Sequence, residues 1–112
     1  MKLITAIIRP EQLEEVRNAL ESFGVQGLTV SGAHGYGRQR GHTEVYRGAE
    51  YTVDLHPKVR IEVLASDEQS YDLMDIIVAS SNTGTAGDGK VWMIEVYEAV
   101  RVRTGERGVA AI

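Results

Sequence analysis

The sequence predicts an α+β fold, a ferredoxin-like βαββαβ sandwich formed by a single domain over residues 1–112. Three observations carry this expectation. A strand–helix–strand order occurs twice, each helix shows an apolar stripe at helical spacing, and no linker-like or low-complexity segment divides the chain. Two such halves pair their strands into one four-stranded sheet with both helices on the same face.

Each element follows from its residues. KLITAII (2–8) is short, apolar and β-branched, as a buried strand is. Pro10 suits the first position of a helix, in which Leu13, Val16, Leu20 and Phe23 keep helical spacing until Gly24 stops it. GLTVSGAHGYG (27–37) reads as the second strand, rich in small residues towards its end. In KVRIEVLA (58–65), Val59, Ile61 and Val63 face one way while Lys58, Arg60 and Glu62 face the polar side. Ser66 and Gln69 form a capping-box pattern ahead of a helix with the stripe Leu73, Met74, Ile77 and Val78. GTAGDG ends that helix and KVWMIEV (90–96) is the fourth strand. AVRVRTGERG (99–108) reads as a short strand with a glycine-containing tail.

Between the halves lies HTEVYRGAEYTVDL (42–55). Val45, Ala49, Tyr51, Val53 and Leu55 keep the period of a strand, but Arg47 interrupts the apolar side and Gly48 weakens the middle. A strand in a core and an arm presented to a partner both remain open. The sheet's second face is informative, because KLITAII and KVWMIEV are apolar at both parities. A second copy of the chain is the simplest cover, which predicts a homo-oligomer.

Composition narrows the function. With 43% hydrophobic and 25% charged residues the chain reads as a soluble globular domain, and a net charge of −4 argues against nucleic-acid binding. A single Phe leaves no aromatic platform for RNA. Zero cysteines removes disulfides and thiolate metal sites and fits a cytoplasmic setting. The apolar run before Arg9-Pro10 is too short for a secretory signal or a membrane span.

Gly84 to Lys90 has P-loop spacing, a glycine, four intervening residues and then Gly-Lys. Val91 stands where such a loop needs a magnesium-binding hydroxyl, and the segment runs from helix to strand. A phosphate loop and a plain helix stop are both available. Arg101 and Arg103, two apart in an extended chain, would point to one side, and with Lys58 and Lys90 they would suit a polyphosphate. A solvated charged face is the competing reading. His34, His56 and His42 lack metal-ligand spacing, and no carboxylate cluster or nucleophile motif points to an enzyme.

Several stretches together resemble one family. YRGAEY (46–51) and TGTAGDGKVW (83–92) resemble the two signature stretches of the PII nitrogen-regulatory signalling proteins, and GYGRQRGHTEVYRGAEY, PKVRIEV and VRVRTGERG look like the same family in the same order. The likeness covers the whole chain. It implies a homotrimer that binds ATP or ADP in clefts between subunits, and 2-oxoglutarate beside ATP through Mg²⁺. It divides the surface into a target loop at 37–55, a phosphate loop at 82–90 and a C-terminal loop at 101–109.

Carried over by position, Gly87, Asp88, Gly89 and Lys90 would surround the phosphates, with Arg38 approaching them and Arg101 and Arg103 reaching in from the neighbouring subunit. Ile7, Thr29, Gly35, Glu62 and Leu64 would hold the nucleoside. Gln39 would supply a Mg²⁺ ligand. Lys58 would pair with one 2-oxoglutarate carboxylate, while backbone N–H groups from Gly37 to Gly41, with Gly87 nearby, would bind the other end. Tyr51 would be the site of attachment for a nucleotidyltransferase, and Arg47, flanked by Glu44 and Glu50, would enter targets. Those targets would be an ammonium channel, regulators of glutamine synthetase or arginine-pathway enzymes, with membrane contact only through the channel. Four positions depart from the family: Thr85 and Ala86 replace a common lysine and a larger aliphatic residue, Asn82 replaces a frequent arginine, and Ala49 leaves no serine for the phosphorylation that the resemblance implies in one branch. The resemblance implies a non-catalytic sensor; the alternative is a small nucleotide-hydrolysing enzyme using the 84–90 loop.

Overall fold

The computed structural model describes residues 1–37 and 55–112 in full, and the backbone of 43–46 and 49–52. Strands β1 (Lys2–Ile8), β2 (Thr29–Gly35), β5 (His56–Ala65) and β6 (Gly89–Glu95) form one sheet in the order β2-β5-β1-β6. Helices α1 (Leu13–Phe23) and α2 (Asp67–Ser81) pack against it, which is the predicted βαββαβ arrangement. Strands β3 (Thr43–Tyr46) and β4 (Ala49–Thr52) pair antiparallel as a separate two-stranded sheet with Val45 opposite Glu50, so the single strand period read through Val45, Ala49 and Tyr51 is not kept.

β1 is the organising strand, because it pairs antiparallel with β5 on one side and β6 on the other. Its alternate residues Ile4, Ala6 and Ile8 are buried to 1% exposure or less and meet Val16 and Leu20 of α1 and Leu73 and Ile77 of α2. Ile61, Val63 and Ala65 of β5 complete this core. Full burial of each such large aliphatic side chain contributes about 1.5–3 kcal/mol relative to exposure.

The helix boundaries show local chemistry. Pro10 opens a 3₁₀ turn (Pro10–Gln12), and the α-helix proper begins at Leu13. Gly24 ends α1 in the left-handed region at φ 116°, and its N–H donates to Glu21 O at 3.0 Å while Val25 N–H donates to Leu20 O at 3.0 Å. That pairing is a Schellman closure, for which glycine has no side-chain penalty. Ser66 does cap α2, but the predicted capping box is not formed: its side chain makes no cap bond, and Gln69 N–H instead donates to the Ser66 carbonyl at 3.2 Å. Val78, expected in the buried stripe, is 48% exposed.

The opposite sheet face is not polar. Leu3 lies opposite Leu64 on one side and Ile94 on the other, and Leu64, Trp92 and Ile94 are 38%, 41% and 55% exposed. No described helix of the chain is long and apolar enough to cross a membrane.

The C-terminal segment departs from the short strand read there. Only Val100 and Arg107 form a bridge, residues 102–104 are a turn, and Gly105 N–H donates to Arg101 O at 2.8 Å. Arg101 and Arg103 are therefore not on one side of an extended chain. Gly105 with φ 74° lets the segment reverse, and the sequence reading gave it no turn.

Candidate phosphate and effector cleft

Strand alternation delivers the cleft. Because Val91 and Met93 pack on the core, Lys90 and Trp92 face the other way, as does Ile7, which stands opposite Lys90 in the β1–β6 register. These three meet Gly35, Tyr36 and Gly37 from the end of β2, Lys58 from β5, and Thr85 to Gly89 from the loop after α2. Together they line a cleft of about 640 Å³, in the range of small-molecule sites.

Lys58 is only 9% exposed, which does not fit the competing reading of a solvated charged face at this residue. Its amine donates to the Gly87 carbonyl oxygen at 2.7 Å. Burial, and then the nearby Arg9 charge, push its pKa down from the ordinary lysine value. Gly35 makes room for it: a Cβ at that position would lie 3.2 Å from Lys58 Cγ. The Lys90 side chain makes no hydrogen bond or ion pair among the described residues, which leaves its ammonium for a bound anion. Two lysines from different strands thus flank a glycine-rich loop.

The loop is organised around Asp88. Its carboxylate accepts from Thr83 N–H at 2.8 Å, from Gly84 N–H at 3.0 Å, and from the Thr83 hydroxyl. Arg9 Nε donates to it at 2.9 Å. The Thr83 and Arg9 hydrogen bonds hold its pKa well below the carboxylate range, so it stays ionised. Asn82 adds a turn by accepting from Gly84 N–H at 2.7 Å. The amides of Thr83 and Gly84 are thereby consumed inside the loop, unlike those of a Walker cradle.

Of the residues assigned by resemblance, the cleft gathers Ile7, Gly35, Gly37, Lys58, Gly87, Asp88, Gly89 and Lys90. Thr29, Glu62 and Leu64 sit on the same sheet face but outside this cleft, with Thr29 opposite Glu62 in the β2–β5 register. Arg101 and Arg103 do not line it either. Arg101 is held within its own chain by Glu106 Oε1 at 2.9 Å, and Arg103 makes no ion pair among the described residues. Arg38, Gln39, Gly41 and Arg47 lie outside the described residues. Glu44, Glu50 and Tyr51 fall on the hairpin, where Glu44 is opposite Tyr51 in register. Among the described residues no group of His, Cys, Asp or Glu is placed to hold a metal ion.

Sequence reasoning passed over Tyr36, Trp92 and Arg9. The alternation of β6 placed Trp92 beside Lys90 and was the available signal. Nothing local marked Arg9, whose partners are 76 to 79 residues away.

Comparison with known proteins gives one consistent result. The Nitrogen regulatory protein P-II family pattern matches residues 1–106. The chain is 51% identical over 112 residues to "Nitrogen regulatory protein GlnK" of Escherichia coli (strain K12), covering 100% of both chains. It is 52% identical, again over 100% of both, to "Nitrogen regulatory protein P-II" of Rhizobium meliloti (strain 1021) and of Rhodospirillum rubrum. These relatives are named as regulatory proteins, and no finding supports the enzyme alternative.

Proposed function

Because the chain belongs to the nitrogen regulatory protein P-II family, we propose that it reports nitrogen, carbon and energy status by binding ATP or ADP and 2-oxoglutarate in the cleft beside the 82–90 loop. One observation carries the reading: a shielded lysine on β5 and a lysine on β6 whose side chain has no partner among the described residues flank a glycine-rich loop across a cleft of about 640 Å³. Polyphosphates need several fixed cationic and polar donors, and this arrangement supplies them from rigid strands.

The donor set fits a nucleotide. Lys90 would meet phosphate oxygens, Ile7 and Trp92 offer apolar surface, and Lys58 can exchange its Gly87 carbonyl for a ligand carboxylate. Gln39 is the proposed protein ligand for the Mg²⁺ that accompanies ATP, which would supply positive charge for the 2-oxoglutarate carboxylate. The apolar face bearing Leu64, Trp92 and Ile94 supports a homotrimer, which would bring Arg101 and Arg103 of a neighbouring subunit towards the phosphates and Thr29, Glu62 and Leu64 towards the nucleoside. Arg101 must then leave Glu106 for phosphate, exchanging one anion for another.

Output runs through residues 37–55, whose first residue lines the cleft. A ligand that engages Gly37 to Gly41 favours some conformations of this segment over others, and only such differential binding can move partners on or off. A nucleotidyl group on Tyr51 would block docking by bulk and charge. An ammonium channel, glutamine-synthetase regulators and arginine-pathway enzymes are the proposed cytoplasmic or membrane-peripheral targets.

Calorimetry tests the reading. We expect ATP binding without further additions, and 2-oxoglutarate binding that requires both ATP and Mg²⁺. Absence of nucleotide binding by the assembled protein, or 2-oxoglutarate binding of equal strength without nucleotide, would overturn it.

A further inference from the structure

The 82–90 loop takes its shape from a residue outside it. Arg9 follows β1 directly and precedes Pro10, with an extended backbone at φ −66° and ψ 138°. The sheet fixes it on one side and the proline on the other, so its guanidinium leaves from a set position. Nε donates to Asp88 Oδ1 at 2.9 Å, while Nη2 donates to Thr85 Oγ1 at 2.9 Å and to the Ala86 carbonyl. One planar fork thus spans Thr85, Ala86 and Asp88.

Two consequences follow for a bound anion. The side chains of Arg9 and Asp88 are 19% and 23% exposed, so their pairing is largely shielded from solvent. Asp88 lines the cleft and is ionised, and without its cation it would repel phosphate oxygens. The peptide bond after Ala86 is trans, so holding the Ala86 carbonyl against Arg9 also fixes where the Gly87 N–H points.

We propose that Arg9 is a positioning residue of the phosphate site, cancelling the Asp88 charge and presetting the loop so that the cleft meets a nucleotide's phosphate chain with net positive charge. This rests on the nucleotide reading above and deepens it. It also accounts for Thr85 at a position where the family resemblance leads one to expect lysine: the cation comes from the end of β1, and Thr85 accepts its hydrogen bond.

The test compares wild type, Arg9→Gln, Arg9→Lys, Asp88→Asn and the Arg9→Gln/Asp88→Asn pair, all as full chains. Affinities for AMP, ADP and ATP are measured by calorimetry, and exchange of the Thr83 and Gly84 amides is measured without nucleotide. Arg9→Gln keeps an amide donor and removes the charge. It should weaken ATP binding by roughly tenfold or more, ADP less, and AMP least, because uncompensated Asp88 repels in proportion to ligand charge. Asp88→Asn should recover much of that loss, and Arg9→Lys should recover part of it. Both Arg9 variants should speed exchange at Thr83 and Gly84 while leaving the Gly24 amide unchanged.

Equal losses for the three nucleotides, or losses that add without recovery in the double variant, would overturn the charge-cancelling role. Unchanged amide exchange would overturn the clamp. If the wild type binds no nucleotide, the reading in the preceding section falls, and the exchange rates still decide whether Arg9 holds the loop.

Discussion

A Cβ on Gly89 would lie 1.7 Å from the carbonyl oxygen of Ile7, because β6 begins with φ +100° directly against β1. The loop can therefore enter the sheet only through a residue without a side chain. Gly89→Ala should cost roughly 2–4 kcal/mol, combining a left-handed backbone with a collision against main chain. Gly84, at φ +80° with nothing within 4 Å of its would-be Cβ, should cost only about 1 kcal/mol on the same change. Urea denaturation of the two variants checks the difference, and equal costs would contradict the geometry.

Lys58 gives a pH signature of defined sign. Its folded pKa lies below the ordinary 10.5, so with rising pH the folded state loses this proton before the unfolded state does. Burial of the charged amine thus opposes folding at neutral pH, and the opposition is relieved between the lowered pKa and 10.5. The stability of wild type relative to Lys58→Met should rise across that window in denaturation series from pH 7 to 10.5. A flat difference would show that the amine titrates alike in both states.

Trp92 is the chain's single tryptophan, half-exposed and on the wall of the cleft. Its emission should change saturably as ATP is added. Lys90→Ala should shift the midpoint by roughly tenfold or more, as expected for loss of a charged phosphate partner. Emission insensitive to saturating ATP would place the nucleotide elsewhere.

The exposed row Leu64 and Ile94 predicts assembly through the sheet face. Sedimentation of wild type should give the mass of three chains. Ile94→Glu should reduce it to one chain with the circular dichroism retained, because Ile94 is already 55% exposed in the single chain and contributes little to its core. A trimer that survives the substitution would assign the interface to another surface.

The fold was legible because two periods dominate it. Ile61 and Val63 alternate with Arg60 and Glu62 on β5, and Val16 and Leu20 recur on α1, and both patterns report on burial directly. Chemistry that depends on long-range contact was not legible. Lys58 sat on the polar parity of its strand, and nothing nearby in sequence foretold that the Gly87 carbonyl would cover it. Arg101 and Arg103 carried a strand-like spacing, yet Gly105 and the Glu106 pairing fold that segment into a turn. Ser66 carried the capping pattern, but the backbone of Gln69 takes a carbonyl instead of a hydroxyl. The glycine loop was visible as spacing. Its dependence on Asp88, Thr83 and Arg9 appears only when the end of β1 and the start of β6 are neighbours.

The two-sided use of β1 constrains how such a chain can diverge. Ile8 belongs to the helix-facing core and Ile7, its neighbour, to the cleft wall, while both pair with the first residues of β6. A substitution that shifts this strand by a fraction of an ångström is felt in stability and in ligand recognition together. Adaptive change in effector preference is therefore expected to accumulate in the segments that flank the strand, such as positions 9 and 82–86, where one property can drift without dragging the other.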